Sequence, residues 1–355
     1  MGHWAPPYPG VPPSPKPRDY DGDVDDDSNA PVQGQQPPQK RHRLPQAIAH
    51  RGYSAVAPEN TMESFRRAVE AGAHAIETDL RLSRDGVVVL MHDPSLKRTF
   101  GEKSKVRDHD WSYLSTLRTL RKPHEPMARL VDLLEYLNEP GVEQTWVVLD
   151  IKRDGGAAPE MMQRIAEVVA SVPANKRPWT ERILASFIRQ AQKHMAPGTQ
   201  ISHVGFSTAY ARALLHYAPN IGISMFRITL ATPLRGPGFI RDMRRRGVPL
   251  FVWTVNEESW MRWAVRNRLD GVITDDPKLF LEVCRRVDQG DQEEEVEVGD
   301  KEEEKKKDSL IGTIGGALKL GIQVTLIELI HLVWLVILLF QHGGPEREVR
   351  KSFES

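Results

Sequence analysis

Residues 75–91 read AIETDLRLSRDGVVVLM and contain two apolar runs on either side of an Asp85-Gly86 pair. Ala75–Leu80 and Val87–Met91 carry the branched and alternating apolar residues that are typical of strands. The stretch between them is far shorter than the dozen or so residues that a crossover between parallel strands needs. An antiparallel hairpin is therefore predicted here, and a two-residue Asp-Gly turn would place Asp79 opposite His92.

Strand-like runs recur through the whole of residues 46–286. With the hairpin they are Ala47–His50, Ala75–Leu80, Val87–Met91, Trp146–Ile151, Ile183–Ser186, Ile201–Gly205, Ile221–Met225, Leu250–Thr254 and Gly271–Thr274. The hairpin accounts for one of these runs, so eight parallel strands remain, separated by amphipathic stretches. This pattern predicts an α/β protein, a TIM (β/α)8 barrel with an inserted hairpin, over residues 46–286.

The flanking segments differ from this region in composition. Residues 1–45 hold 11 of the 26 prolines and few branched aliphatics, which predicts a disordered arm. Residues 287–309 form a charged linker, because 11 acidic residues and 4 lysines occur between 288 and 308.

Charge and cysteine content exclude several classes of protein. The chain holds 48 basic and 48 acidic residues, and this balance argues against a nucleic-acid partner. The single cysteine, Cys284, excludes an internal disulfide and a cysteine-based zinc site, and it favours a reducing compartment.

A membrane anchor is predicted in residues 310–341. Ile322–Phe340 has 15 apolar residues out of 19, and a helix of this length spans about 28 Å, close to the hydrocarbon thickness of a bilayer. Glu328 and His331 share one face, so a buried core helix or an in-plane amphipathic helix stays open as an alternative. The tail that follows, 342–355, is short.

The short tail bears on topology. An anchor so near the end of the chain is inserted after synthesis, which leaves the barrel on the cytosolic side. The sequence therefore predicts a tail-anchored protein of the endoplasmic reticulum, the mitochondrial outer membrane or lipid droplets.

The predicted strands end in ionisable side chains. They are His50 and Arg51 after the first strand, Glu77 and Asp79 on the second, His92 after the hairpin, and Asp150 with Lys152 at the fourth. Each has an ordinary structural interpretation, such as a hydrogen-bonded histidine or a solvated acidic face. Their convergence at one end of a single barrel favours an active site, because chemistry in TIM barrels occurs at the carboxyl ends of the strands.

The residue types indicate phosphate chemistry. Oxygen donors from Glu77, Asp79 and Asp150 suit one divalent cation, Mg²⁺ or Ca²⁺, and not zinc. Arg51 and Lys152 add two cations suited to a phosphate group. The two histidines could supply a general acid and a general base, in roles that stay unassigned.

Two polar positions are interpreted as helix starts only. Asn60, followed three residues later by Glu63, is predicted to begin one helix. Asp276 and Pro277 are predicted to begin another, as N-cap and first helical residue.

A family signature runs through these same residues. The motifs are His50-Arg51-Gly52, Pro58-Glu59-Asn60-Thr61, Ile76-Glu77-Thr78-Asp79, Asp85-Gly86, His92-Asp93, Trp253-Thr254-Val255-Asn256 and Gly271-Val272-Ile273-Thr274. In this order they resemble the signature of glycerophosphodiester phosphodiesterases, over residues 46–286.

The resemblance implies a role for each of these positions. It implies His50 and His92 as the catalytic pair, Glu77, Asp79 and Asp150 as metal ligands, Arg51 and Lys152 as phosphate contacts, and Trp253 as a substrate contact. One position departs from the family, because most members have Glu where this chain has Asp150. The shorter side chain can still bind a metal, with a shorter reach.

Asp150, Trp253-Thr254-Val255-Asn256, Ile273-Thr274-Asp275-Asp276-Pro277 and the apolar tail together resemble the fungal phosphatidylglycerol phospholipase C branch. This favours a membrane-anchored enzyme that cleaves phosphatidylglycerol to diacylglycerol and glycerol phosphate. A phosphodiesterase acting on soluble glycerophosphodiesters or lysophospholipids is the first alternative, and a non-catalytic membrane scaffold is the second.

Overall fold

The computed structural model describes residues 44–152, 158–186 and 194–289, together with Val349. The strands are β1 Gln46–His50, β2 Ala75–Leu82, β3 Val88–Leu90, β4 Trp146–Ile151, β5 Ile183–Ser186, β6 Gln200–Gly205, β7 Gly222–Phe226, β8 Leu250–Trp253 and β9 Gly271–Thr274. The helices are α1 Met62–Glu70, α2 Lys97–Phe100, α3 Trp111–Leu114, α4 Leu130–Leu137, α5 Ala158–Ser171, α6 Trp179–Arg182, α7 Thr208–Tyr217, α8 Arg227–Ala231, α9 Gly236–Arg246, α10 Glu258–Arg266 and α11 Pro277–Asp288.

The strands close into a barrel. All except β3 are parallel and follow the order β1-β2-β4-β5-β6-β7-β8-β9, and β1 pairs with both β2 and β9. Every predicted run is a strand, so the TIM-barrel prediction is confirmed. The carboxyl ends of the eight parallel strands therefore meet at one mouth.

The barrel has two cores because side chains alternate between the faces of each strand. One face packs against the helices in the main apolar cluster. The other fills the barrel with Ile48, Ala75, Trp146, Val148, Leu184, Phe251 and Ile273. Gly271 makes room for this filling, since a Cβ there would lie 2.9 Å from the Phe251 ring.

The hairpin has a different register from the one predicted. Leu80 pairs with Leu90, so Met91, not His92, lies opposite Asp79 and donates its N–H to the Asp79 carbonyl at 2.9 Å. The reason is the turn, which has three residues, 84–86, closed by a hydrogen bond from Ser83 to Val87. Gly86 ends it at a φ of +82°, a left-handed conformation that glycine adopts readily.

The segment between β3 and α4 forms a small satellite beside the mouth. Its core consists of Met91, Leu96, Phe100, Val106, Leu114 and Met127, packed against Val89 of β3. Arg121 joins it to the loop after β1 by donating hydrogen bonds to the carbonyl oxygens of Ser54 at 2.5 Å, Ala55 at 2.7 Å and Ala57 at 2.8 Å.

Several predictions concern segments outside the described residues. They are nearly all of the 1–45 arm, the linker from 290 onward, the 310–341 anchor region with its 322–340 helix, and the tail apart from Val349. Among the residues that the structure does describe, no helix is both long and apolar enough to cross a bilayer.

Candidate active site

Three carboxylates meet at the mouth of the barrel. Glu77 and Asp79 are two apart on β2 and so point to the same side, and Asp79 pairs in register with Asp150 of β4. One oxygen of each lies within 4.8 Å of the other two, an arrangement that could hold a metal ion. Glu77 and Asp79 are only 5% and 1% exposed.

Two cationic side chains border this acidic cluster. The Lys152 ammonium lies 2.8 Å from Asp79 Oδ1 and 2.5 Å from Asp150 Oδ2. Arg51 Nε lies 3.2 Å from Asp79 Oδ2, and the Arg51 backbone N–H donates to Glu77 Oε2 at 3.0 Å. The structure therefore brings both predicted phosphate contacts to the cluster.

The carboxylates differ in their electrostatics. Burial, reinforced by Asp79, raises the pKa of Glu77 to about 8. Burial would also raise the pKa of Asp79, but Lys152, Arg51 and, more weakly, His92 hold it below its usual value. Protein cations therefore outweigh burial at Asp79, whereas at Glu77 the nearby His50 and Arg51 offset burial only in part.

Asn60 supports the cluster and does not begin a helix. Its amide donates to Asp79 Oδ2 at 2.9 Å, and its carbonyl oxygen accepts from the Thr78 hydroxyl at 2.8 Å. Helix α1 instead begins after Thr61, which forms a reciprocal capping box with Ser64. The prediction for Asn60 was wrong because the capping residue is one position further along. Asp276, in contrast, is the predicted N-cap of α11 and accepts a hydrogen bond from the Leu279 N–H.

His50 is oriented by a carboxylate from the last strand of the barrel. Its Nδ1 lies 2.6 Å from Asp275 Oδ1, while Nε2 faces the acidic cluster at 4.0 Å from Glu77 Oε2. Asn256 in turn donates to Asp275 Oδ2 at 2.6 Å. Burial lowers the pKa of His50, but Asp275 and Glu77 outweigh it and raise this pKa above its usual value.

His92 is the more open of the two histidines, with 36% of its side chain exposed. Its Nδ1 lies 2.7 Å from Asp93 Oδ1, and Arg81 Nε donates to its backbone carbonyl at 2.9 Å. Arg98 binds the other oxygen of Asp93 at 2.6 Å. Burial opposes the change, but hydrogen bonds from Arg98 and His92 lower the pKa of Asp93 to about 2.

Trp253 belongs to an aromatic wall on the far side of the mouth. Its ring centroid lies 5.1 Å from that of Phe206 and 5.3 Å from that of Phe226. The three rings follow or end β6, β7 and β8, and Phe206 is 56% exposed. The buried Trp253 Nε1 has no hydrogen-bond partner among the described residues.

Sequence reasoning missed several of these residues. Asp275 directly follows β9, the same kind of position as the other polar groups, and stands in a motif of the fungal branch, but no role was predicted for it because only the closed barrel brings it to His50. Phe206 and Phe226 carry no local signal. Only the closure of β6, β7 and β8 into one mouth brings them to Trp253.

The whole of this region matches a known family. A model of the glycerophosphoryl diester phosphodiesterase family matches residues 50–279, which include both histidines, the three carboxylates and Asp275. The chain belongs to the glycerophosphoryl diester phosphodiesterase family. The protein is therefore a phosphoric diester hydrolase acting on glycerophosphodiesters.

Relatives and solved structures agree with this assignment. The chain is 30% identical over 248 residues to a glycerophosphodiester phosphodiesterase of Caldanaerobacter subterraneus, a match that covers 67% of this chain and 97% of the relative. A glycerophosphodiester phosphodiesterase structure from Thermotoga maritima superposes with a TM-score of 0.56 at 27% identity, covering 68% of this chain and 100% of that one. An Oleispira antarctica phosphodiesterase, solved with the product sn-glycerol-3-phosphate, gives a TM-score of 0.60 at 24% identity over 68% and 97% of the two chains.

Proposed function

We propose that this family member is a divalent-cation-dependent, membrane-associated enzyme that cleaves phosphatidylglycerol to diacylglycerol and glycerol phosphate. The observation that carries the proposal is the cluster of Glu77, Asp79 and Asp150 within 4.8 Å, bordered by cationic side chains and by a histidine at the barrel mouth. The Oleispira relative, with its bound sn-glycerol-3-phosphate, is consistent with the expected product.

The three carboxylates would hold one cation, Mg²⁺ or Ca²⁺, since all the donors are hard oxygen atoms. The environment of Glu77 supports this fit. Among the described residues no Lys or Arg forms an ion pair with Glu77, although it is buried, so the protein leaves its charge for a ligand to neutralise. When bound, the cation would supply a Lewis acid for the charge on the phosphoryl oxygens.

The two histidines would divide the proton transfers. The free hydroxyl next to the phosphate on the glycerol head group attacks phosphorus, and one imidazole takes its proton. The bond from phosphorus to the diacylglycerol oxygen breaks, and the other imidazole protonates that oxygen. Water then opens the cyclic phosphate to glycerol phosphate.

Arg51 and Lys152 would contact the phosphate. Both are held at the cluster by carboxylates, Arg51 by Glu59 at 2.9 Å and Lys152 by Asp79 and Asp150. These pairings keep the two cations ordered before substrate arrives, which reduces the entropic cost of binding.

The aromatic wall favours a lipid over a soluble diester. Phe206, Phe226 and Trp253 place apolar surface beside the site, where the glycerol backbone and acyl chains of a lipid would lie. Soluble glycerophosphodiesters and lysophospholipids remain the alternative substrates. The scaffold interpretation is not retained, because the family is one of hydrolases and each predicted catalytic position holds a reactive side chain.

Membrane association would come from residues 310–341, with the barrel on the cytosolic side of the endoplasmic reticulum, the mitochondrial outer membrane or a lipid droplet. Val349, beyond this segment, is fully buried in the main apolar cluster of the barrel. A single span would put Val349 and the barrel on opposite sides of a bilayer. This burial therefore favours a segment that lies in the membrane plane, or enters and leaves by one face.

The test is turnover by the full chain on phosphatidylglycerol vesicles, glycerophosphocholine and lysophosphatidylcholine. The proposal expects diacylglycerol from the vesicles. If the protein released glycerol phosphate from glycerophosphocholine but cleaved neither of the other two substrates, the assignment would move to soluble substrates. Deletion of residues 310–341, which keeps Val349, should release the protein from membranes, and persistence in the membrane pellet would contradict the anchor.

A further inference from the structure

Exposed apolar side chains collect around the mouth of the barrel. The large hydrophobic residues exposed within the described part of the chain are Val56, Tyr113, Leu120, Phe206, Tyr217 and Leu234. Four of them, Val56, Leu120, Phe206 and Leu234, lie in loops at the carboxyl end of the strands, and Leu234 is 89% exposed. These four residues form the rim of the mouth.

The rim flanks the mouth on opposite sides. Val56 follows β1, and Leu120 lies beside it because the adjacent Arg121 binds the carbonyl oxygens of the Val56 loop. Phe206 follows β6 and Leu234 follows β7. In the closed order, β6 is four strands away from β1, so the two halves of the rim face each other across the carboxylates of β2 and β4.

The opposite end of the barrel has a different surface. Helix α9 ends there in Arg244, Arg245 and Arg246, all exposed, and the chain leaves there at Gln289 before the acidic stretch 291–304. This end offers charge of both signs. Of the large exposed hydrophobic side chains, only Tyr217, at the end of α7, lies there among the described residues.

We propose that the rim rests on the surface of a phospholipid bilayer and brings the mouth to its substrate. The inference deepens the proposed function and rests on it, because a lipid phosphodiester can reach the carboxylates only if the mouth meets the membrane. Scattered single apolar residues are ordinary on protein surfaces, but a set surrounding one opening is typical of an interaction site. Lys122, exposed beside Leu120, adds positive charge suited to anionic head groups.

The path of the chain explains why such a surface is needed. The chain enters the barrel at Gln46 and leaves at Gln289, both at the end opposite the rim. The stretch from 289 to 322 can extend to at most about 120 Å, whereas helix α11 is about 18 Å long. A membrane segment in 322–340, with Val349 again packed on the barrel, would keep the protein at the membrane, and the rim would turn the mouth toward the lipid.

Turnover on two substrates tests the rim. Leu234→Ser and Val56→Ser in the full chain should together lower turnover on phosphatidylglycerol vesicles by about tenfold. Hydrolysis of water-soluble glycerophosphocholine should change less than about twofold, since neither side chain belongs to the catalytic cluster. Tyr217→Ser, at the opposite end, is the matched control and should change neither rate. Unchanged vesicle turnover in the double variant, or an equal loss on both substrates, would overturn the proposal.

A fluorescent probe identifies the face that meets the membrane. An environment-sensitive dye on Leu234→Cys should shift to the blue when vesicles of phosphatidylglycerol are added, while the same dye on Arg245→Cys should not. Cys284 is buried, which limits background labelling. A shift at 245 without one at 234 would assign contact to the arginine-rich end and overturn the proposal. If the protein bound vesicles through the rim but released no diacylglycerol, the proposed lipid substrate would be wrong, whereas the proposed membrane contact of the rim would be supported.

Discussion

The two ends of the barrel bury polar groups in different ways. At the amino end the Trp146 indole donates to Gln46 Oε1 at 2.8 Å, and the fully buried Arg182 donates to the carbonyl oxygens of Leu137 and Thr145 at 2.7 and 2.9 Å. At the carboxyl end the buried Glu77 carboxylate forms no ion pair with Lys or Arg among the described residues, and its nearest basic side chain is His50 at 4.0 Å. Buried polar groups at the amino end are paired within the protein and stabilise the fold. At the carboxyl end the Glu77 carboxylate is available to bind a ligand.

Two arginines, the buried Arg182 and the partly buried Arg51, show the same contrast. Burial lowers the pKa of Arg182 to about 10, because its partners are neutral carbonyl oxygens. Burial acts on Arg51 too, but the neighbouring Asp79 and Glu59 outweigh it and raise its pKa. The first guanidinium is part of the scaffold, whereas the second belongs to the charge balance of the site.

The largest expected effect is on catalysis, at the carboxyl end. His50→Ala and His92→Ala should each lower turnover of glycerophosphocholine by about 10² to 10⁴-fold, because each removes a proton-transfer group. Both variants should still unfold in one cooperative urea transition, which shows that the lost turnover is not lost folding. His216→Ala, at an exposed position near the end of α7 at the other end of the barrel, is the control. Near-normal turnover in either site variant would refute the assignment of the pair.

The next effect is on stability, at the amino end. Arg182→Met removes the donors for buried carbonyl oxygens and should lower the free energy of unfolding by about 3 kcal/mol, measured by urea titration. Turnover well below the unfolding midpoint should be unchanged. Arg245→Met, which alters an exposed arginine, should cost less than about 0.5 kcal/mol. If Arg182→Met lost activity without losing stability, the assignment of Arg182 to the scaffold at the amino end would be wrong.

A smaller effect is expected from Asp275→Asn, which keeps the shape beside His50 and removes the charge. Asp275 helps to raise the pKa of His50, so the limb of the pH–rate profile that follows His50 should move to lower pH. Turnover at the optimum should fall by about tenfold. If the pH–rate profile did not shift, the charge of Asp275 would have no effect on the pKa of His50.

The smallest effect is a pH dependence of stability without metal. Glu77 has a pKa of about 8 when folded against an ordinary value of 4.5, so the folded state holds a proton that the unfolded state has released between these values. Stability from this source is lost as the pH rises through the folded pKa. Chelated protein should therefore melt at a lower temperature near about pH 8.5 than near about pH 6. His50, whose pKa is also raised, acts in the same direction. Glu77→Gln should reduce the difference, and an equal difference in that variant would exclude Glu77 as its source.

The sequence allowed the barrel and most of its acidic cluster to be predicted for a simple reason. Apolar runs mark buried strands, and a spacing of two puts Glu77 and Asp79 on one face whatever the exact register. The hairpin register failed by one residue because the turn includes Arg84 as well as Asp85 and Gly86. The local sequence pattern does not distinguish a two-residue turn from a three-residue turn at this site.

Other features depend on tertiary contacts and could not be predicted. Asn60 has the residue type of a helix cap, and only the packing of its loop against β2 shows that it binds Asp79. The aromatic wall unites residues at the carboxyl ends of three strands, and its members are ordinary apolar residues in sequence. Groups of residues that are distant in sequence can be recognised only once the barrel has brought them together.

The most direct test of the central claim is metal dependence of the chemistry at the carboxyl end. Glycerol phosphate release from glycerophosphocholine by the full chain would be measured before chelation, after chelation, and after Mg²⁺ or Ca²⁺ is returned. We expect chelation to lower turnover by more than about 100-fold and one of the two ions to restore it. Glu77→Gln should need a higher concentration of that ion. Full activity in chelator would contradict the metal site formed by Glu77, Asp79 and Asp150.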